Sequence, residues 1–163
     1  MDNNRDNQLR DAVRKAFADA AEATFRKMIM LELSPLSVEA GEKETWDFSG
    51  TVNFSGDIAG NCILRLSEAT AREAITRLAG ELIEKISEVS DGVGELANMI
   101  AGNAKAALQE YTISLSFPEV IMGKDHEKAV QRHSNVISLY FTSEIGAIAV
   151  IAAYSDPILQ QGT

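Results

Sequence analysis

The spacing of apolar residues changes along this chain, and that change constrains its fold more than any other feature. From Asn7 to Met30, Leu9, Val13, Phe17, Ala20, Thr24 and Met28 recur every three or four positions, which places them on one buried stripe of a long helix. From Trp46 the period is two. Trp46, Phe48, Val52 and Phe54 alternate with polar residues, Ser55-Gly56-Asp57 reads as a turn, and Ile58, Gly60, Cys62, Leu64 and Leu66 continue the alternation, so an antiparallel hairpin is expected. Ser67 then suits a helix N-cap, with Ala71, Ile75 and Leu78 facing inward and Gly80 just past the end.

A second long helical period runs from about Ile86 to Glu110, with Ile86, Val89, Val93, Leu96, Ile100, Ala104 and Ala107 as its stripe. Extended patterns close the chain. Ile113, Leu115 and Phe117 alternate until Pro118 breaks the run, and Val120-Ile121-Met122 resumes it. Val136–Phe141 and Ile145–Tyr154 form a last hairpin around Ser143-Glu144. The stretches 37–43, behind Pro35, and 124–134 are polar and read as connections.

Strands and helices in this order predict an α+β fold, with helices packed on a largely antiparallel sheet. The 163 residues, 45% of them hydrophobic, suffice for one domain over 1–163 with a substantial core and are too few for two typical ones. The run Ile145–Tyr154 is apolar at consecutive positions, so both of its faces need cover. Either the helices of one chain supply it or a second copy does.

Composition removes whole classes of function. Lys and Arg number 15 against 24 Asp and Glu, a net charge of −9, which opposes binding to nucleic acid or to an anionic membrane. Cys62 is the single cysteine, and His126 and His133 are the only histidines, too few for a Cys/His zinc site. On a strand among apolar residues and without a base beside it, Cys62 reads as core. No phosphate-cradling glycine loop is present. The chain has no apolar run of about 20 residues and no apolar stretch behind its polar N-terminus, so a cytoplasmic protein is expected.

The helix from Ile86 to Glu110 carries the one unusual surface. With about 100° per residue and Glu95 as zero, Asp91, Asn98 and Gly102 fall within about 60°, while Val93, Leu96 and Ile100 lie about 100° or more away. Glu95 and Asn98 therefore share an exposed face, one turn apart. Asn is a weak helix former and glycine a worse one, yet Gly94 and Gly102 both stand inside the helical pattern, where they leave bare helix surface. On spacing alone the plainer reading prevails: solvated polar residues on an amphipathic helix, with glycines permitting a close contact.

The residues themselves add a resemblance. Asp91-Gly-Val-Gly-Glu95-Leu-Ala-Asn98-Met-Ile-Ala-Gly102-Asn103 is similar to the signature helix of the CheC/CheX/FliY phosphatases of bacterial chemotaxis, whose motif is Asp or Ser, three residues, Glu, two residues, Asn. A proline about twenty residues further on belongs to that pattern, where Pro118 stands. Upstream, Phe54-Ser-Gly-Asp-Ile-Ala-Gly60 and Leu64-Arg-Leu-Ser67 resemble the hairpin and helix entry that precede the signature helix. CheC-type members carry two Glu-x-x-Asn helices, whereas Asn7–Met30 has none, so the single site resembles the CheX branch.

The resemblance implies a phosphatase acting on a CheY-type response regulator phosphorylated on an aspartate. Asn98 would orient the attacking water and Glu95 would pair with the regulator's active-site lysine. Asp91 would support the docking surface, and Gly94 and Gly102 would let the partner's loops approach. No cofactor of the chain's own is implied, Mg²⁺ belonging to the regulator, and a homodimer is expected. The competing class is a non-catalytic adaptor that binds a regulator or a flagellar partner through the same helix. Retention of both Glu95 and Asn98 favours the enzyme.

Overall fold

The computed structural model describes residues 2–123 and 133–155. In chain order the elements are α1 (Asp2–Ile29), β1 (Ser34–Leu36), α2 (Val38–Glu42), β2 (Phe48–Gly56), β3 (Ala59–Leu66), α3 (Glu68–Ala79), α4 (Ile86–Ala107), β4 (Ile113–Leu115), β5 (Glu119–Met122), β6 (Asn135–Thr142) and β7 (Ile148–Ser155). Helices on an antiparallel sheet are what the period changes predict. Among the described residues the strands run β1-β6-β7-β3-β2-β4, and β5 lies beside β4 along the same edge of β2.

Register explains which side chains meet the helices. Val52, Cys62, Ala152 and Ile137 form one row across four strands, and Phe48, Leu66, Ile148 and Phe141 form another. Alternation turns these rows to one face, where they join the stripes of α1, α3 and α4 in one buried cluster. Helix α4 crosses β2 at Gly50, where an added Cβ would stand 3.1 Å from the Ala97 Cβ and 3.2 Å from the Val93 carbonyl oxygen. A side chain there would lift the helix off the sheet. Helix α1 lies beside α4 and is tied to it by Asn103, whose Nδ2 donates to the Oγ1 of buried Thr24 at 2.9 Å.

The opposite face is covered within the same chain. Ile63, Ala149, Ile151 and Ala153 point away from the helices and are at most 3% exposed. The connection from β1 to β2 passes over this face, with Gly41 against the Tyr140 ring and Trp46 stacked on it at 6.2 Å between centroids. Strand β7 is therefore buried on both faces without a second copy, and its apolar run gives no ground for a dimer.

Several boundaries differ from the sequence expectation for physical reasons. Helix α1 starts at Asp2 rather than Asn7, and its stripe turns toward Phe25 and Ile29, leaving Met28 43% exposed. Trp46 precedes β2 and packs on the outer face, not with Phe48 and Phe54. The stretch 37–43 holds α2, capped by the Ser37 hydroxyl, which accepts from the Ala40 N–H. Helix α4 ends at Ala107, and Ile86 and Ala107 at its two ends are exposed. Phe117 is 92% exposed, because β4 and β5 pair with β2 on either side of a bulge at 116–118. The expected ends of α3 hold: the Ser67 hydroxyl accepts from the Thr70 N–H, and Gly80 is left-handed at φ 74°. Most of the polar connection 124–134, with His126, lies outside the described residues. Cys62 is fully buried, and burial pushes its thiol up to about 12.

Candidate active site

Helix α4 presents Asp91, Glu95 and Asn98 to solvent while Val89, Val93, Leu96 and Ile100 on its other side are fully buried. The buried stripe anchors the helix, so the exposed residues are carried on a rigid element. Among the described residues no hydrogen bond or ion pair engages the side chains of Asp91, Glu95 or Asn98. All three are available to a partner.

Two glycines define the width of this exposed strip. About 60° to one side of Glu95 lies Gly92, where a Cβ would stand 2.6 Å from the Ile75 Cγ2 of α3. About 100° to the other side lies Gly94, where a Cβ would stand 3.2 Å from the Val120 Cγ2 and 3.5 Å from the Pro118 Cβ. Helix α3 and strand β5 thus close on α4 from both flanks. By the same count Asn98 and Asp91 lie on the β5 side of Glu95, and Asp91 and Glu95 also line the groove beside α3.

Gly94 is accordingly not bare surface. Its missing side chain is used by Pro118 and Val120 of the same chain. Gly102 is different, since nothing lies within 4 Å of an added Cβ. Each glycine in a helix interior costs about 1 kcal/mol relative to alanine. Contacts with α3 and β5 offset that cost at Gly92 and Gly94, whereas no contact offsets it at Gly102. That position is left open toward solvent on the same face as Glu95 and Asn98.

Sequence reasoning missed the residues that frame the strip. Pro118 was legible as a motif member, but its contact with Gly94 joins positions 24 residues apart and needs the strand pairing. Glu88, seven residues before Glu95, shares its face and could have been found from spacing. Asn103 of the motif, though exposed, fastens α4 to α1 through its bond to Thr24. His133 lies away from this helix, its Nδ1 3.1 Å from the Ser155 Oγ at the end of β7.

The chain is similar to known proteins in sequence and in fold. The sequence profile described as chemotaxis phosphatase CheX matches residues 48–142. A chemotaxis protein CheX from Desulfovibrio desulfuricans is 28% identical, with 88% of this chain and 99% of that one covered at a TM-score of 0.76. A Vibrio vulnificus chemotaxis protein CheX is 27% identical over 86% of this chain and 95% of that one, with a TM-score of 0.74. At 22% identity, a Borrelia burgdorferi chain from a CheX-CheY-BeF3-Mg²⁺ complex shares the fold, covering 86% and 96% with a TM-score of 0.73. Among curated proteins there is no significant match. Within the described residues, no helix is long and apolar enough to cross a membrane.

Proposed function

Because the chain belongs to the CheX family of chemotaxis phosphatases, we propose that it hydrolyses the aspartyl phosphate of a CheY-type response regulator. The observation that carries this reading is the pair Glu95 and Asn98, one turn apart, exposed and unpaired on a helix held from beneath and from both flanks. The Borrelia neighbour, seen in a complex with CheY, supports a partner of that type.

The chemistry asks little of such a protein. Water attacks phosphorus in line as the bond between phosphorus and the acyl oxygen breaks, and the aspartate leaves as a carboxylate, a weak base that needs no general acid. Charge on the phosphoryl group is met by the regulator's own Mg²⁺ and lysine. What remains is to place the water. The Asn98 carboxamide can accept a hydrogen bond from it and donate one, and being neutral it adds no repulsion beside the phosphoryl oxygens. Glu95, on the same face, pairs with the regulator's lysine and sets the register of docking. Asp91 and the open position at Gly102 extend that docking surface.

The test is the rate of phosphate release from a phosphorylated CheY-type regulator with and without this protein. Acceleration at substoichiometric protein is expected. Binding without acceleration would establish an adaptor instead. The family reading also carries a homodimer, which a clean monomer mass in sedimentation at micromolar concentration would overturn.

A further inference from the structure

Beside the strip that carries Glu95 runs a groove of about 440 Å³ between the end of α1, helix α3 and helix α4. Its floor is apolar, built from Met28, Leu78 and Ile83 over Ile75. One wall is acidic, formed by Glu88, Asp91 and Glu95 of α4. We propose that this groove is the second half of the docking surface, and that it receives an amphipathic element of the response regulator: an apolar side chain flanked by lysine or arginine. The inference rests on the phosphatase reading and adds to it the chemistry of the partner's contacting surface.

The groove is preformed. The α3–α4 connection is folded back by Arg72, whose Nη1 donates to the Glu84 carbonyl at 2.8 Å, and by the Thr76 hydroxyl, which accepts from the Ile83 N–H at 3.2 Å. These bonds hold Ile83 in the floor. Gly92 lets Ile75 of α3 close against α4. On the far side α3 is pinned to the β6–β7 turn, where the Thr70 hydroxyl donates to the Ile145 carbonyl at 2.9 Å. A partner entering here orders little that is not already ordered.

Charge selects the occupant. Glu88, Asp91 and Glu95 span about 10 Å of one helix face, and among the described residues none has a cationic partner. Like charges at this spacing weaken a helix. Four of the chain's arginine and lysine side chains within α1 and α3 are instead paired elsewhere, Lys15 with Asp19, Arg26 with Glu32, Arg72 with Glu68 and Arg77 with Glu73 and Glu144. An unpaired acidic wall above an apolar floor is complementary to a basic and apolar surface, not to a second copy of a chain with net charge −9. Glu95 belongs both to the wall and to the strip with Asn98, so a protein large enough to engage Asn98 also covers the groove.

Two exposed positions test the proposal without disturbing the core: Met28→Gln on the floor and Glu88→Gln on the wall. With a regulator whose dephosphorylation the protein accelerates, each variant should raise KM about tenfold, with the loss falling on KM rather than kcat, and Glu88→Gln should also flatten the rise of KM with salt. Val38→Ser, on α2 across the sheet, should change neither constant. Wild-type KM in both groove variants would overturn the proposal, and so would a change in sedimentation mass in place of a change in KM, which would assign the groove to a second copy. If Asn98→Ala kept full activity, the phosphatase reading itself would fall, an outcome distinguishable because the groove variants act on KM.

Discussion

Pro118 lies against Gly94, so close that a Cβ on the glycine would stand 3.5 Å from the proline Cβ and 3.2 Å from the Val120 Cγ2. The bulge that carries Pro118 is fixed to β2, where the Ser116 N–H donates to the Asn53 carbonyl at 2.8 Å and the Asn53 N–H to the Ser116 hydroxyl at 2.9 Å. Strand β5 is thereby held against α4 one turn from Asn98. Gly94→Ala gains helix propensity and crowds Val120, so its stability should stay within about 1 kcal/mol of wild type. Gly94→Leu has no such room. It should cost about 1–3 kcal/mol, read by denaturant titration, and lower phosphatase activity by moving β5.

Gly102 separates stability from function. Alanine there meets nothing within 4 Å, and removing a mid-helix glycine should stabilise by about 1 kcal/mol, about 2–4 °C in Tm. If the open position serves the regulator's approach, the same variant binds the regulator more weakly while melting later. A calorimetric scan and a binding isotherm on one preparation decide it, and unchanged affinity would remove Gly102 from the docking surface.

Asn98→Ala should fold at least as well as wild type, because the side chain is exposed and alanine is the better helix former. Its phosphate-release rate should fall about a hundredfold or more, since misplacing a reacting group by about 1 Å costs that much, while affinity falls far less. Asn98→Asp should be equally poor, because it places a negative charge beside the phosphoryl oxygens and loses the amide donor. Circular dichroism establishes that the variants are folded. Full activity in a folded Asn98→Ala protein would refute the mechanism.

Glu95→Ala should weaken the regulator complex at low salt, and the difference from wild type should shrink as ionic strength shortens the Debye length to about 10 Å near 0.1 M. The comparison is of two affinities at two salt concentrations. Equal affinities at both would exclude Glu95 from docking.

Cys62 makes stability fall at alkaline pH. Its thiol is pushed up to about 12 by burial, whereas in the unfolded chain it ionises near about 8.5. Below about pH 8.5 both states keep the proton. Between the two values only the unfolded state releases it, so unfolding becomes easier as pH rises, by about 1.4 kcal/mol per unit at most. Cys62→Ala should be less stable at neutral pH, from the lost volume, yet should show a shallower decline above about pH 9 in the same denaturant titrations.

The sequence alone determined what depends on near neighbours in the chain. Ser67 and Gly80 bound α3 because capping is decided within one turn, and the exposed face of α4 follows from 3.6 residues per turn. The period-two runs identify β2 and β3, and the unbroken apolar run identifies β7, because these patterns are a property of each strand by itself. Tertiary structure decided everything that depends on which distant segments meet. The helical period allowed Met28 a place in the stripe, yet Phe25 and Ile29 took the interior once α1 lay beside α4, and Met28 was left facing a groove. Trp46 fits a strand pattern, but the chain crosses the outer face and stacks it on Tyr140, 94 residues away. Gly94 and Gly102 are the same residue on one helix, and only the pairing of β5 with β2 makes one a packing contact and leaves the other open. Such differences arise from hydrogen bonding and packing between segments far apart in sequence, and no local period encodes them.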